Sequence, residues 1–146
     1  MTEPMTGRAF VDTNVVVYAA DESLAEQAKH DAAVELLTRD PENLVLSTQV
    51  LQEFYHVVTR KLEKPLDSQR AAAATHALTR LDVVGADAEL VLAAIETSRS
   101  AQLSIWDALI IEAARRAACE RVLSEDLADG QTIRGVRIEN PFGGPA

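Results

Sequence analysis

Short apolar runs alternate along this chain with longer segments whose apolar residues recur every three or four positions. The short runs are strand-like and the periodic ones helix-like. RAFVD (8–12) predicts a strand, and SLAEQAKHDAAVELLTR (23–39) a helix with Leu24, Ala28, Ala32 and Leu36 along one side. NLVLS (43–47) predicts a second strand, followed by a helix through TQVLQEFYHVVTRKL (48–62) and a break at Pro65. Residues 67–80 read as helical, LDVVG (81–85) as a short strand and DAELVLAAIETSRSA (87–101) as a helix. SIWDALIIEAARRAA (104–118) is a helix that runs into RVLSED (121–126), a strand; VRIEN (136–140) is a last strand before the PFGGPA tail. No repeat, low-complexity tract or linker interrupts the series. The alternation predicts one α/β domain over residues 1–146, its core at about 8–140 between short flexible tails. A mostly parallel sheet covered by helices is expected.

In such sheets ligands bind outside the carboxyl ends of the strands. That rule draws attention to RAFVDTNVVVYAADES (8–23), where Asp-Thr-Asn separates two runs that both favour burial. Asp12 ends the first predicted strand and Asp126 a later one, so both are expected at one crevice. Each acid also has a structural role open to it. Asp12 can cap a following helix, although Asn14 can do the same. Ser104-Ile-Trp-Asp107 fits a capping box, with the acid near the positive end of the helix dipole. On the helical wheel, however, Asp107 falls inside the apolar arc, near Ala114 and Ala118, while Glu112, Arg115 and Arg116 share the opposite side. An acid on the packed side of a helix is costly unless something positive meets it. Glu53 lies at the margin of the stripe Val50, Leu51, Phe54, Val57 and Val58, with Arg60 available as a plain ion-pair partner. SEDLADG offers Glu125, Asp126 and Asp129 past a strand; Asp126, nearest the strand end, is the first choice.

Composition sharpens this picture. The chain has 146 residues, 47% of them hydrophobic, with only 6 Gly and 5 Pro, enough to close a core built of Ala, Val and Leu. The net charge of −9 argues against gripping nucleic acid by surface charge alone. It is equally what acids gathered around a cation produce. Two carboxylates about 4 Å apart repel by roughly 4 kcal/mol at an effective dielectric of 20. Neither FVDTN nor SIWD holds a Lys or Arg to relieve this, whereas Mg2+ or Mn2+ suits an all-oxygen set. His30, His56 and His76 each stand alone and are expected at the surface, so zinc is unsupported. There is neither a Gly-rich phosphate loop nor a G-x-S-x-G elbow. The single cysteine, Cys119, excludes an internal disulfide and is expected as a small buried hydrophobe on a helix. VVVYAA is too short to span a bilayer and MTEPMTGR has no secretory pattern, so a cytoplasmic protein without membrane contact is expected.

FVDTNVVVYA, LSTQVLQEFYHVVTRK, SIWDALIIEAA and RVLSEDLADGQ stand in the order and spacing of one family and cover nearly the whole chain. On these pieces the chain resembles PIN-domain proteins, specifically the VapC-like toxin ribonucleases of bacterial type II toxin–antitoxin pairs. The resemblance implies a three-layer α/β/α sandwich with a mostly parallel sheet and an acidic pocket holding Mg2+ or Mn2+. It carries catalytic or metal roles onto Asp12, Glu53, Asp107 and Asp126. Thr13 is implied as the hydroxyl that helps orient the site, and Asp129 as the alternative fourth acid. A homodimer and a cognate antitoxin, its tail entering the active-site groove, are implied as well. The activity expected is metal-dependent endonucleolytic cleavage of single-stranded RNA. Asp12 and Asp107 would be chief ligands of the metal, Asp126 would complete the site, and Glu53 would hold metal or orient water. Arg60, Arg115 and Arg116 are expected along the RNA backbone. Two rivals stand beside this reading. An aspartyl-phosphate phosphatase of the haloacid dehalogenase type would use Asp12 as nucleophile, but the second acid it needs is Asn14 here. A catalytically silent binding module would use the acids only as caps and ion-pair partners.

Overall fold

The computed structural model describes residues 7–143. Its elements are β1 (Arg8–Val11), α1 (Thr13–Ala20), α2 (Gln27–Arg39), β2 (Leu44–Ser47), α3 (Thr48–Arg60), α4 (Ser68–Leu78) and β3 (Asp82–Val84), followed by α5 (Ala88–Ala101), α6 (Ile105–Arg116), β4 (Cys119–Leu123), β5 (Thr132–Ile133) and β6 (Val136–Glu139). The strands form one sheet in the order β3-β2-β1-β4-β6-β5, parallel except for β5. α1 packs on α2 and α3, and α3 on α4, while α5 packs on α6. Right-handed crossovers explain the grouping: the chain winds from β1 towards β3, then returns past β1 to β4, so α5 and α6 cover the other face. The winding reverses between β1 and β4, which makes that junction the switch point of a doubly wound sheet. The expected tails, apart from Gly7 and residues 141–143, lie outside the described residues.

The core is made of residues that suit a sheet buried on both faces. Phe10, Leu46, Ile111 and Ile138 are wholly buried, together with valines of β1, β2, β4 and α1. The hydrophobic pattern locates these strands well and their ends less well. β4 starts at Cys119 and ends at Leu123, so Ser124 to Asp126 lie beyond it and Cys119 is a buried strand residue, not a helical one. The boundary is hidden because α6 stops at a left-handed Ala118 (φ 59°), where glycine or asparagine would have announced the end. VVVYAA belongs to a helix of its own, α1; a short apolar run has no period that separates helix from strand. α2 consequently begins at Gln27, and Leu24, expected on its buried side, is 86% exposed in a single 3-10 turn. The β5–β6 hairpin turns through Arg134 (φ 50°) and Gly135 (φ 85°), a two-residue turn whose left-handed positions favour glycine.

Glu112 also departs from the wheel. Set there on the polar side of α6, it is buried, only 4% of its side chain exposed. Thr97 of α5 donates its hydroxyl at 2.5 Å, and Arg115 and Arg134 donate at 2.9 and 3.0 Å. One carboxylate thereby ties α5, α6 and the β5–β6 turn together. Burial pushes this carboxyl up, but Thr97 and the two guanidiniums outweigh it and hold it below the ordinary carboxylate range. Its contribution is therefore present above the ordinary value of about 4.3 and is lost as pH falls through the lowered one. Glu112→Ala is expected to lower the unfolding free energy by about 2 kcal/mol at neutral pH. Urea unfolding across pH should show the wild-type advantage shrinking below about pH 4.

Candidate active site

Asp12 follows β1 directly and caps α1: its Oδ1 accepts the Thr13 N–H at 2.7 Å. This is the cap foreseen from the sequence, yet it occupies one oxygen only. The other, Oδ2, accepts the Ser124 hydroxyl at 2.8 Å from the end of β4, and the Asp12 N–H itself bonds to the Leu123 carbonyl at 2.9 Å. Glu53 is in the second turn of α3, which Ser47 caps at the end of β2. Arg60, the ion-pair partner open to it in the sequence, does not pair with it; the Thr13 hydroxyl donates to its Oε1 at 2.7 Å instead. Asp107 is the third residue of α6, where its N–H bonds to the Ser104 hydroxyl at 3.0 Å.

The turn after β4 sorts its three acids. Glu125 is paired with Lys29 and accepts the Tyr18 hydroxyl at 2.9 Å, so its charge is already met. Asp129 accepts the Asn140 N–H at 2.9 Å and secures the chain after β6. Asp126 is left at the crevice, held by the Asn14 carboxamide at 3.2 Å. Asn14 also accepts the Glu125 N–H at 3.0 Å, and the Ser124 hydroxyl oxygen accepts the N–H groups of Asp126 and Leu127. Ser124 and Asn14 are thus the fastening that sequence reasoning missed in its connecting role. The one available signal was a hydroxyl at the end of an otherwise apolar strand.

Asp12, Glu53, Asp107 and Asp126 make no ion pair among the described residues. Burial pushes Asp12 up to about 6, against the pull of Ser124 and Thr13, and the charges of Asp126 and Glu53 raise it further. Asp107 is raised for the same leading reason, burial, and by the same two neighbours. Asn14 contacts both Asp12 and Asp126, and Thr13, next to Asp12, holds Glu53, while Asp107 feels the charges of Asp126 and Glu53 from the first turn of α6. Among the described residues no three His, Cys, Asp or Glu side chains are gathered closely enough to hold a metal ion as they stand. The chemistry of the donor set nonetheless suits a hard divalent cation: oxygen ligands only, with no cationic side chain paired to them. A cavity of about 640 Å3 opens from Thr13 and Glu53 between α1 and α3, past Val17, Val57, His56 and Lys61.

Other sequence expectations fare differently. Arg115 and Arg116 pair with Glu112 and Asp87 at the far end of α6, roughly 13 Å along the helix from Asp107, and do not border the crevice. Arg60 is exposed near the end of α3. His56 and His76 are exposed as expected, but His30 is half-buried, its Nδ1 3.0 Å from the Tyr18 carbonyl.

The fold and the four acids define an α/β domain with an acidic crevice at its switch point. A family model for the PIN domain matches residues 9–128, and the chain belongs to that family. Its structure is similar to that of VapC20 from Mycobacterium tuberculosis, described as a sarcin–ricin loop cleaving toxin (TM-score 0.64, 24% identity, 81% of this chain and 89% of that one). It is also similar to a toxin–antitoxin complex from Klebsiella pneumoniae (TM-score 0.67, 19% identity, 92% and 98% covered). DNA-bound VapBC from Salmonella typhimurium gives a TM-score of 0.66 at 19% identity, with 93% and 99% covered. At these identities the likeness is one of fold. No curated protein matches the sequence.

The raised Asp12 carries a stability signature. Its protonated form is favoured in the fold, so it costs nothing below its ordinary value of about 3.9 and becomes destabilising as pH rises to about 6. In metal-free buffer, Asp12→Asn is expected to gain on wild type over that window, by up to about 3 kcal/mol at pH 7. Parallel urea titrations at pH 4.5 and pH 7 check this; equal stabilities at both would contradict it.

Proposed function

We propose that this protein is a metal-dependent endoribonuclease that cleaves single-stranded RNA, acting as the toxin of a toxin–antitoxin pair. The observation that carries the proposal is a set of carboxylates without ion-pair partners around the β1–β4 junction: Asp12 and Asp126 share Asn14, Glu53 is held by Thr13, and Asp107 feels Asp126 and Glu53. Family membership supports it, as do structural neighbours described as toxins and toxin–antitoxin complexes. Asp12 and Asp107 would hold Mg2+ or Mn2+, and Asp126 would complete the set directly or through water. When bound, the metal supplies an activated water and offsets charge on the phosphate. Glu53, held by Thr13, would orient that water. Ser124 keeps Asp12 in position, as outer partners of metal ligands generally do.

On this reading the RNA is the substrate, a cognate antitoxin the regulator, a homodimer the working unit and the cytoplasm the place of action. Among the described residues no helix is long and apolar enough to cross a membrane. The phosphatase alternative has nothing to support it: the residue at its second acid position, Asn14, is occupied in fastening Asp126 and Glu125. The silent-module alternative predicts that Mn2+ does not bind at the four acids.

Purified protein with labelled cellular RNA in Mg2+ or Mn2+ should yield discrete fragments, and EDTA should abolish them. Asp12→Asn and Asp107→Asn are expected to lose more than about 100-fold in cleavage rate, and Ser124→Ala about 10- to 100-fold. Cleavage that survives EDTA, or that proceeds undiminished in both Asp variants, overturns the mechanism.

A further inference from the structure

Aromatic residues are scarce in this chain: three Phe, two Tyr and one Trp. Phe10 and Phe54 are buried in the core, and Tyr18 packs edge-on against Phe142 with ring centroids 5.0 Å apart. Tyr55 is 38% exposed, whereas Trp106, the largest of them, is 61% exposed. Tryptophan is usually among the more buried side chains, and an indole left to water forgoes the stabilisation its burial brings.

Nothing in the fold asks for an indole there. Trp106 is the second residue of α6; Ser104 supplies the cap and Ala108, Ile110 and Ile111 supply the packed face. A polar residue would serve that turn as well. The position is nevertheless well anchored, because Gln49 in the first turn of α3 donates its side-chain amide to the Trp106 carbonyl at 3.4 Å. Gln49 lies four residues before Glu53 on the same side of α3, and Trp106 directly precedes Asp107. Trp106 therefore precedes Asp107 at the start of α6, where its backbone is tied to the turn of α3 that leads into Glu53.

We propose that the Trp106 indole is a stacking platform for a nucleobase next to the cleaved bond, an inference that rests on the ribonuclease reading above. Stacking suits this place better than charge does. The net charge of −9 and the four acids repel phosphate, while an indole holds any base through its π-face without a charge of its own. A second copy of the chain is a poorer occupant. Ser104 and Asp107 are the polar neighbours of Trp106 along the chain, and the other exposed large apolar side chains, Leu24, Val34, Tyr55, Val91, Leu92 and Ile95, lie on other elements, so α6 presents no apolar patch of its own around it.

Because Trp106 is the sole tryptophan, its fluorescence reports on the site directly. The Glu53→Gln protein in Mg2+, titrated with a short mixed-sequence single-stranded RNA, should show saturable quenching. An abasic oligonucleotide of equal length should quench far less. In cleavage assays Trp106→Ala and Trp106→Leu should raise KM about 5- to 100-fold with kcat within about threefold, and Trp106→Phe should restore most of the affinity. Wild-type cleavage combined with unchanged KM in both variants overturns the platform and leaves the nuclease standing. Equal quenching by the abasic strand, or quenching that follows protein concentration and ignores RNA, overturns it as well. Failure of the wild-type protein to cut any RNA in Mg2+ or Mn2+ overturns the ribonuclease reading and the platform together.

Discussion

Ser124 is wholly buried at the end of β4, and its hydroxyl is where two neighbouring strands agree on the position of an acid. It donates to Asp12 and accepts from the backbone of Asp126 and Leu127, so one oxygen sets both the rotamer of the first carboxylate and the path of the turn that delivers another. β1 and β4 are adjacent and parallel with Val11 opposite Leu123, and this register puts Asp12 and Ser124 side by side. Remove the hydroxyl and Asp12 keeps its capping bond to Thr13 but loses the bond that meets its second oxygen. The rest of the crevice is arranged outward from that joint: Asn14 bridges to Asp126, and Thr13 bridges to Glu53.

The arrangement is one that folding alone would not favour. Carboxylates that repel one another, one of them largely desolvated, lower stability at neutral pH. The domain tolerates them because its sheet core and the buried Glu112 cluster lie elsewhere, at the opposite end of α6 from Asp107. That separation lets α6 serve two purposes. Its first turn carries an acid whose charge is left unmet, and its last turns carry arginines whose charges are met. Concentrating unmet charge in one place, while neutralising it where the fold is held together, is the general pattern of a site kept at some cost to stability.

How much of this could be read without coordinates follows from what kind of information each feature needs. Residue type and local period suffice for the strands around Phe10, Val45 and Val122 and for the stripe Val50, Phe54, Val58, all of which are buried. The placement of Asp12 after β1 and Asp107 in the first turn of α6 needed only the strand-end rule and a helical wheel. Ser124 was not legible as a partner of Asp12, because that bond depends on which strand lies beside β1 and in what register. Glu112 misled for a related reason: the wheel assumes one apolar side, but a helix between α5 and the β5–β6 hairpin meets neighbours on two. The helix end at Ala118 and the hairpin at Arg134 escaped because ordinary residues hold left-handed conformations there.

A net charge of −9 sits awkwardly with a polyanionic substrate until the distribution of charge is considered. Arg115, Arg116, Arg121 and Arg134 are held in ion pairs away from the crevice, whereas Arg60, Lys61 and Lys64 at the end of α3 make none among the described residues, and Lys61 lines the cavity that opens from Glu53. On the proposed reading, attraction for RNA would come from the bound cation, from the basic residues at the end of α3 and from groups that need no charge. Reliance on the cation would also make the acids their own safeguard. Without a divalent ion the crevice repels RNA, so the metal that enables the chemistry would also be the condition for admitting the substrate.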